Sequence, residues 1–182
     1  RSNDARSSQG QCSFALFEGT TDYGEMLICD GANKPFFFKM TGTGALSDRT
    51  FFAGEITVDS TTAPTVGVIH ENHFVVGGAP TAKNKIFFSA TLDPESFSGT
   101  GSGSIQLTDA IVGLASFRSD LIIFCQNSIF KLSNISDSDN IAISPVTRNV
   151  GCLDGHSIQE IGGDLVFLSP DGIRTVAGTA RI

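Results

Sequence analysis

Apolar residues run along this chain in short stretches, and each stretch stops at a turn former. Met26-Leu27-Ile28-Cys29 runs into Asp30-Gly31, Leu121–Cys125 into Gln126-Asn127-Ser128, and Leu165–Ser169 into Pro170-Asp171-Gly172. Runs rich in Phe, Ile, Val and Thr, bounded by Gly, Asp, Asn, Pro and Ser, are the mark of β-strands joined by tight turns. No stretch of more than ten residues keeps the 3.6-residue rhythm of a helix. Thr91–Ser104, with glycines at 99, 101 and 103, reads as a loop.

The runs recur. Strands starting at Leu27, Phe74, Leu121 and Leu165 stand 47, 47 and 44 residues apart. Each opens a pair: Leu27–Asp30 with Phe36–Phe38, Phe74–Gly77 with Ile86–Ser89, Leu121–Cys125 with Ile129–Leu132, and Leu165–Ser169 with Ile173–Val176. A strand precedes each pair, at Phe14–Phe17, Val66–His70, Ile111–Phe117 and Ser157–Ile161. Another follows the first three, at Phe51–Val58, Ile105–Leu107 and Ile141–Val146.

The unit is therefore three or four antiparallel strands in about 45 residues, the size of a propeller blade. The chain is expected to be all-β and β-propeller-like, with about four blade-like units of 44–47 residues forming one region over residues 1–182. Four blades are few for a closed ring, and the sequence opens on Arg1, so it reads as a segment of a larger propeller. The competing reading is a β-sandwich. A blade cannot bury both faces alone and stacks on its neighbours. Its middle strands then show unbroken apolar runs, as Leu-Ile-Ile-Phe-Cys does here. Leu121, Ile123, Leu165 and Phe167 are the expected core. Gly67, Gly113 and Ala115 suit a crowded inner edge, and Gly31 and Gly172 are expected at positive φ.

Composition narrows the function. A 40% hydrophobic content over 182 residues supports a real core. The net charge is −7 and the 12 basic residues are scattered, which opposes affinity for phosphates and argues against a nucleic-acid reader. An acidic wall past which DNA slides remains compatible. No apolar run approaches the roughly 18 residues of a spanning helix. Cys12, Cys29, Cys125 and Cys152 show no zinc or redox spacing and are expected as small buried hydrophobes.

The search for chemistry is mostly negative. No lysine follows the glycines at 99, 101 and 103, so they form no phosphate loop. His70 and His73 flank Glu71-Asn72 and could reach one metal ion, but no third ligand is near in sequence, and they are expected as surface turn residues. Asp137-Ser138-Asp139-Asn140 lacks the glycine and distal glutamate of the common calcium loop and is expected as a solvated turn. Asp30, Asp120, Asp164 and Asp171 stand beside the repeat turns, which favours turn structure over the facing carboxylates of glycoside hydrolysis. The sequence thus assigns no catalytic, cofactor-binding or metal residue, and the protein is not expected to be an enzyme.

One resemblance adds to this. Ile86-Phe87-Phe88-Ser89 followed by Asp93-Pro94 and Phe97, then Ile111-Val112-Gly113-Leu114, Leu121–Leu132, Gly151-Cys152 and Phe167–Ile173 together resemble the propeller-containing virion proteins of tailed phages, including their tail tubular or nozzle proteins. The likeness covers roughly the last hundred residues. It implies a structural virion component: a tail or neck ring protein, commonly hexameric, built from copies of itself with other tail proteins around passing DNA. The alternative is a carbohydrate-binding or glycan-processing propeller such as a receptor-binding tail part. Such sites favour exposed aromatic platforms, and this chain has no Trp and a single Tyr, Tyr23.

Overall fold

A computed structural model describes residues 12–18, 24–42, 49–59 and 62–179. These residues form four antiparallel sheets. The first holds β1 (Ser13–Phe17), β2 (Glu25–Cys29), β3 (Phe36–Thr41) and β4 (Thr50–Glu55). The second holds β5 (Val66–His70), β6 (His73–Ala79), β7 (Ala82–Phe88) and β8 (Gly103–Gln106). The third holds β9 (Ile111–Phe117), β10 (Asp120–Cys125), β11 (Ile129–Ser133) and β12 (Ala142–Thr147). The fourth holds β13 (Gln159–Ile161), β14 (Asp164–Ser169) and β15 (Gly172–Thr175), followed by the four-residue helix α1 (Val176–Thr179). Spatial order within each sheet equals chain order. The repeat unit read from the sequence is therefore one sheet.

Alternation along the second strand of each sheet explains the unbroken apolar runs. Successive side chains on a strand point to opposite faces. On β6, Phe74 and Val76 turn to the first sheet and join Phe17, Leu27 and Cys29, while Val75 turns to the third sheet. On β10, Leu121 and Ile123 meet Val75, Ile86 and Phe88 of the second sheet. Ile122 and Phe124 face the other way, onto Leu165 and Phe167 of β14. Three apolar interfaces thus join four sheets in chain order. Leu121, Ile123, Leu165 and Phe167 are all buried, as expected. Each such side chain contributes about 1.5–3 kcal/mol on leaving water.

The turns follow their sequence. Gly31 has φ 71° and Gly172 has φ 125°, both positive as expected. Because Ser169 pairs with Gly172, the two-residue loop is Pro170-Asp171 and the glycine lies just past it. Glu71 and Asn72 adopt φ 44° and 63°, which gives the β5–β6 hairpin a left-handed turn without glycine.

Three expectations are corrected. The predicted strand Ser157–Ile161 begins only at Gln159, because Gly155–Ser157 forms a 3-10 turn. The Asp154 carboxylate accepts from the His156 amide (2.9 Å) and caps that turn. The predicted strand Ile173–Val176 ends at Thr175. The Ala177 amide reaches the Asp164 carboxylate (3.2 Å) and the chain turns into α1. The segment read as a loop over Thr91–Ser104 ends at Ser102, because β8 begins at Gly103 and pairs with Phe88, and the loop itself is held against two sheets. Phe97 packs its ring against Phe74, 6.2 Å between centroids, and Glu95 pairs with Lys39 of β3.

Small residues mark close approaches. A Cβ on Gly67 would stand 2.8 Å from the Phe74 ring and 3.0 Å from Cys29 Sγ. A Cβ on Gly151 would collide with the backbone of Gln126 and Asn127, which cannot swing aside as a side chain can.

Replacing Ile123 with Ala is expected to cost about 2–5 kcal/mol, the range for a core cavity. Replacing Gly151 with Ala is expected to cost about 1–3 kcal/mol by overpacking. Urea denaturation checks both; near-wild-type stability of either variant contradicts the packing described.

Candidate functional site

A concavity follows from the first strands. β1 packs beside β5, β5 beside β9, and β9 beside the 3-10 turn that precedes β13. Ser13 of β1 joins the first two sheets directly: its hydroxyl donates to the Gly67 carbonyl (3.0 Å) and accepts from the Gly67 amide (3.1 Å). Between these elements lies a cleft of about 910 Å³ that all four sheets or their connections line. Much of its wall is small residues and backbone, including Gly31, Gly67, Gly78, Gly113 and Gly155.

The carboxylates of the cleft serve its loops. Asp30 Oδ1 accepts from the amides of Ala32 (3.0 Å) and Asn33 (2.8 Å), which closes the turn after β2. Asp154 is the cap already described. Lys83, Gln126, His156 and Gln159 add polarity to the wall, and Phe14 lies beside it. The two carboxylates of the cleft thus cap separate turns and do not converge.

Outside the cleft, Asp109 does similar work and was not singled out by the sequence reading. It accepts from the Ala110 amide (2.8 Å), the Asn127 amide (2.7 Å) and the Ser128 hydroxyl (2.8 Å), tying the entry of β9 to the β10–β11 turn. Burial pushes this carboxyl up, but those hydrogen bonds outweigh it and hold Asp109 below its ordinary value. Asp120 accepts from the Ser133 hydroxyl and lies 3.5 Å from Lys131 Nζ. Hydrogen bonds from Arg174 and Ser169 hold Asp171 well below the usual carboxylate range. The four aspartates therefore occupy separate turns and are not brought together. Asp137 closes its own exposed turn by accepting from the Asp139 amide (3.1 Å) and from Asn140 Nδ2 (2.7 Å).

The histidines differ from their expected surface placement. His70 and His73 are both buried, because the tight Glu71-Asn72 turn is exposed while its flanking pair, in register, faces the core. His73 Nδ1 donates to the Ser89 carbonyl (2.6 Å), and its Nε2 lies 3.2 Å from Thr91 Oγ1 and 3.3 Å from Ser136 Oγ. His70 Nδ1 lies 2.9 Å from the hydroxyl of exposed Ser116, and its Nε2 is buried without a partner. A serine activated by histidine needs a third group to orient the ring, and Nε2 meets none. Among the described residues no group of three or more His, Cys, Asp or Glu side chains could hold a metal ion. Cys29, Cys125 and Cys152 are buried free thiols as expected, whereas Cys12, ahead of β1, is only half-buried and lines the cleft. Burial pushes the Cys29 and Cys152 thiols up and the Cys125 thiol to about 12, which suppresses the reactive thiolate.

Comparison with protein-family models and with curated proteins finds no match for this chain. Among the described residues no helix is long and apolar enough to cross a membrane.

Burial lowers the His70 pKa from 6.5, more than Glu71 and Asp120 raise it, and His73 lowers it further. A depressed folded value means that this histidine's contribution to stability is fully present above the unfolded value of 6.5 and is lost as pH falls through the folded value. Folding stability is therefore expected to decline on acidification below 6.5, and His70→Gln is expected to flatten that decline. Denaturation midpoints across this range check it. An unchanged slope in the variant contradicts the assignment.

Proposed function

We propose that the four sheets are successive blades of a β-propeller, and that the chain is a structural component of a phage virion, a tail or neck ring protein of nozzle type that lines or supports the DNA channel. The observation that carries the architecture is the order of the meanders. Each sheet follows the previous one in the chain, and the first strands gather around one cleft. Radial repetition of this kind is the propeller solution to the exposed edges of antiparallel sheets. The role rests on the resemblance of the last hundred residues to phage tail proteins and on where the polar groups go. They close turns and join sheets, which suits a part whose function is shape.

Charge supports the channel reading. A net charge of −7 gives passing DNA little to hold, because retention depends on cations that neutralise phosphates. The glycan-binding alternative has the exposed Phe14 beside the cleft in its favour, but finds thinner support because the cleft carboxylates Asp30 and Asp154 cap separate turns instead of converging.

Purified protein is expected to bind duplex DNA no more tightly than about 10⁻⁴ M even at about 50 mM salt. Fluorescence anisotropy measures this; micromolar binding with a steep salt dependence contradicts the channel-wall role. Cryo-electron microscopy of the particles tests the placement. The chain is expected in a tail or neck ring, and its absence from virions overturns the proposal.

A further inference from the structure

At the end of the β5–β6 hairpin the second sheet, its long loop and the third sheet meet. Two exposed residues close the turn, Glu71 and Asn72, and neither is a glycine although they hold φ 44° and 63°. The flanking pair, His70 and His73, is 2% and 0% exposed. Phe88 stands edge-on to His73, with 5.9 Å between ring centroids. Histidine changes charge between about pH 5 and 8, and this seam between two sheets offers such a charge little water.

The attachments of this hairpin end run to other elements. His70 Nδ1 meets the Ser116 hydroxyl on β9. His73 Nε2 meets the hydroxyls of Thr91 and Ser136. The Ser136 hydroxyl also donates to the Glu71 carbonyl (3.4 Å), and the Leu92 amide donates to the Asn72 carbonyl (2.9 Å). Thr91 and Leu92 open the long loop of the second sheet, and Ser136 stands in the connection between β11 and β12 of the third. One turn thus fastens two loops.

The pocket around His70 suits an uncharged ring. A charged imidazole donates from both nitrogens. Ser116 can accept one of those bonds, but Nε2 is buried with no partner among the described residues, and a buried donor without an acceptor is costly. The charged and titratable groups that act on His70 are Glu71 at the turn, Asp120 on β10 and His73 beside it. Neither carboxylate bonds the ring, and Asp120 is already held by the Ser133 hydroxyl and Lys131. From β9 and the two loops come only the hydroxyls just named. Water, however, is close. His70 is the last residue of β5, beside the exposed turn, so its ring is freed when the hairpin end alone lifts. Val75, Leu121 and Ile123 lie deeper along their strands, in the core that joins the two sheets.

We propose that this hairpin end is an acid-released latch: protonation of buried His70 lifts the Glu71-Asn72 turn and frees the loops fastened to it, while the core between the second and third sheets stays closed. The latch is a local opening, separate from unfolding of the whole chain, and it stands whether or not the chain is a virion part.

Amide exchange of the whole chain, followed residue by residue by NMR and corrected for the intrinsic rate at each pH, tests it. From about pH 7.5 to about pH 5 the protection of the Leu92 amide is expected to fall at least about threefold and at most about thirtyfold, the ceiling for one histidine whose open-state value is 6.5. At the lower pH, Leu92 exchange is expected to be indifferent to small additions of urea, the mark of a local opening, whereas Ile123 exchange is expected to rise steeply with urea. His70→Gln is expected to abolish the pH-dependent fall at Leu92, and Glu71→Gln to retain it. Should His70→Gln misfold, the unsubstituted chain still decides: the fall must level off where the His70 ring itself takes up its proton, read from its NMR shift. Four results overturn the proposal: Leu92 protection that does not change with pH, Leu92 exchange as steep in urea as that of Ile123, a fall that survives His70→Gln or is lost in Glu71→Gln, or a fall that levels off away from the His70 titration.

Discussion

A β-sheet with two apolar faces cannot stand alone in water, and the arrangement of this molecule follows from that constraint. The second strand of the second and third sheets sends alternate residues into two different cores: Phe74 and Val76 against Val75, Leu121 and Ile123 against Ile122 and Phe124. No one of these strands belongs to a single core. Removing one sheet would expose apolar surface on its neighbour, so stability is shared between adjacent units in the manner of a repeat protein.

Stacking in turn dictates what the remaining positions do. Where first strands approach one another, side chains must be small, and Gly67 meets Phe74 and Cys29 with no room for a methyl group. Where hairpins turn, backbone amides need acceptors, and Asp30, Asp109 and Asp154 provide them. Lys39 links Glu95 of the long loop to Glu25 of β2, 3.7 Å away, and so holds that loop on the first sheet. Asp30, Asp109 and Asp154 each serve a different turn.

Much of this was legible in the sequence because strand, turn and stacking each leave a local mark. The run Leu121–Cys125 declared a strand covered on both faces, and the 47-residue spacing declared the repeat. The glycines at 31 and 172 declared their turns. What escaped depended on partners distant in the chain. His70 and His73 were read as surface residues because they border a tight turn. Their burial comes from Ser116, Ser89 and Ser136, between 16 and 63 residues away in sequence. The close approach of the Gln126 backbone to Gly151 leaves no local mark in the sequence. Phe97 and Glu95 looked like loop decoration, yet each anchors to a different sheet. The 3-10 turn before β13 was missed because the strand was started at Ser157, inside the turn that Asp154-Gly155 opens and the Asp154 side chain caps.

Stacking of successive sheets through alternate faces is the central claim, and a double-mutant cycle across one interface tests it most directly. Phe124 of the third sheet and Phe167 of the fourth have ring centroids 5.2 Å apart. Replacing each with Leu, singly and together, and measuring unfolding free energies is expected to give a coupling of about 0.5–1.5 kcal/mol, the range for an aromatic pair in contact. Effects that add within about 0.3–0.5 kcal/mol, as they do for residues that never meet, would contradict the stack.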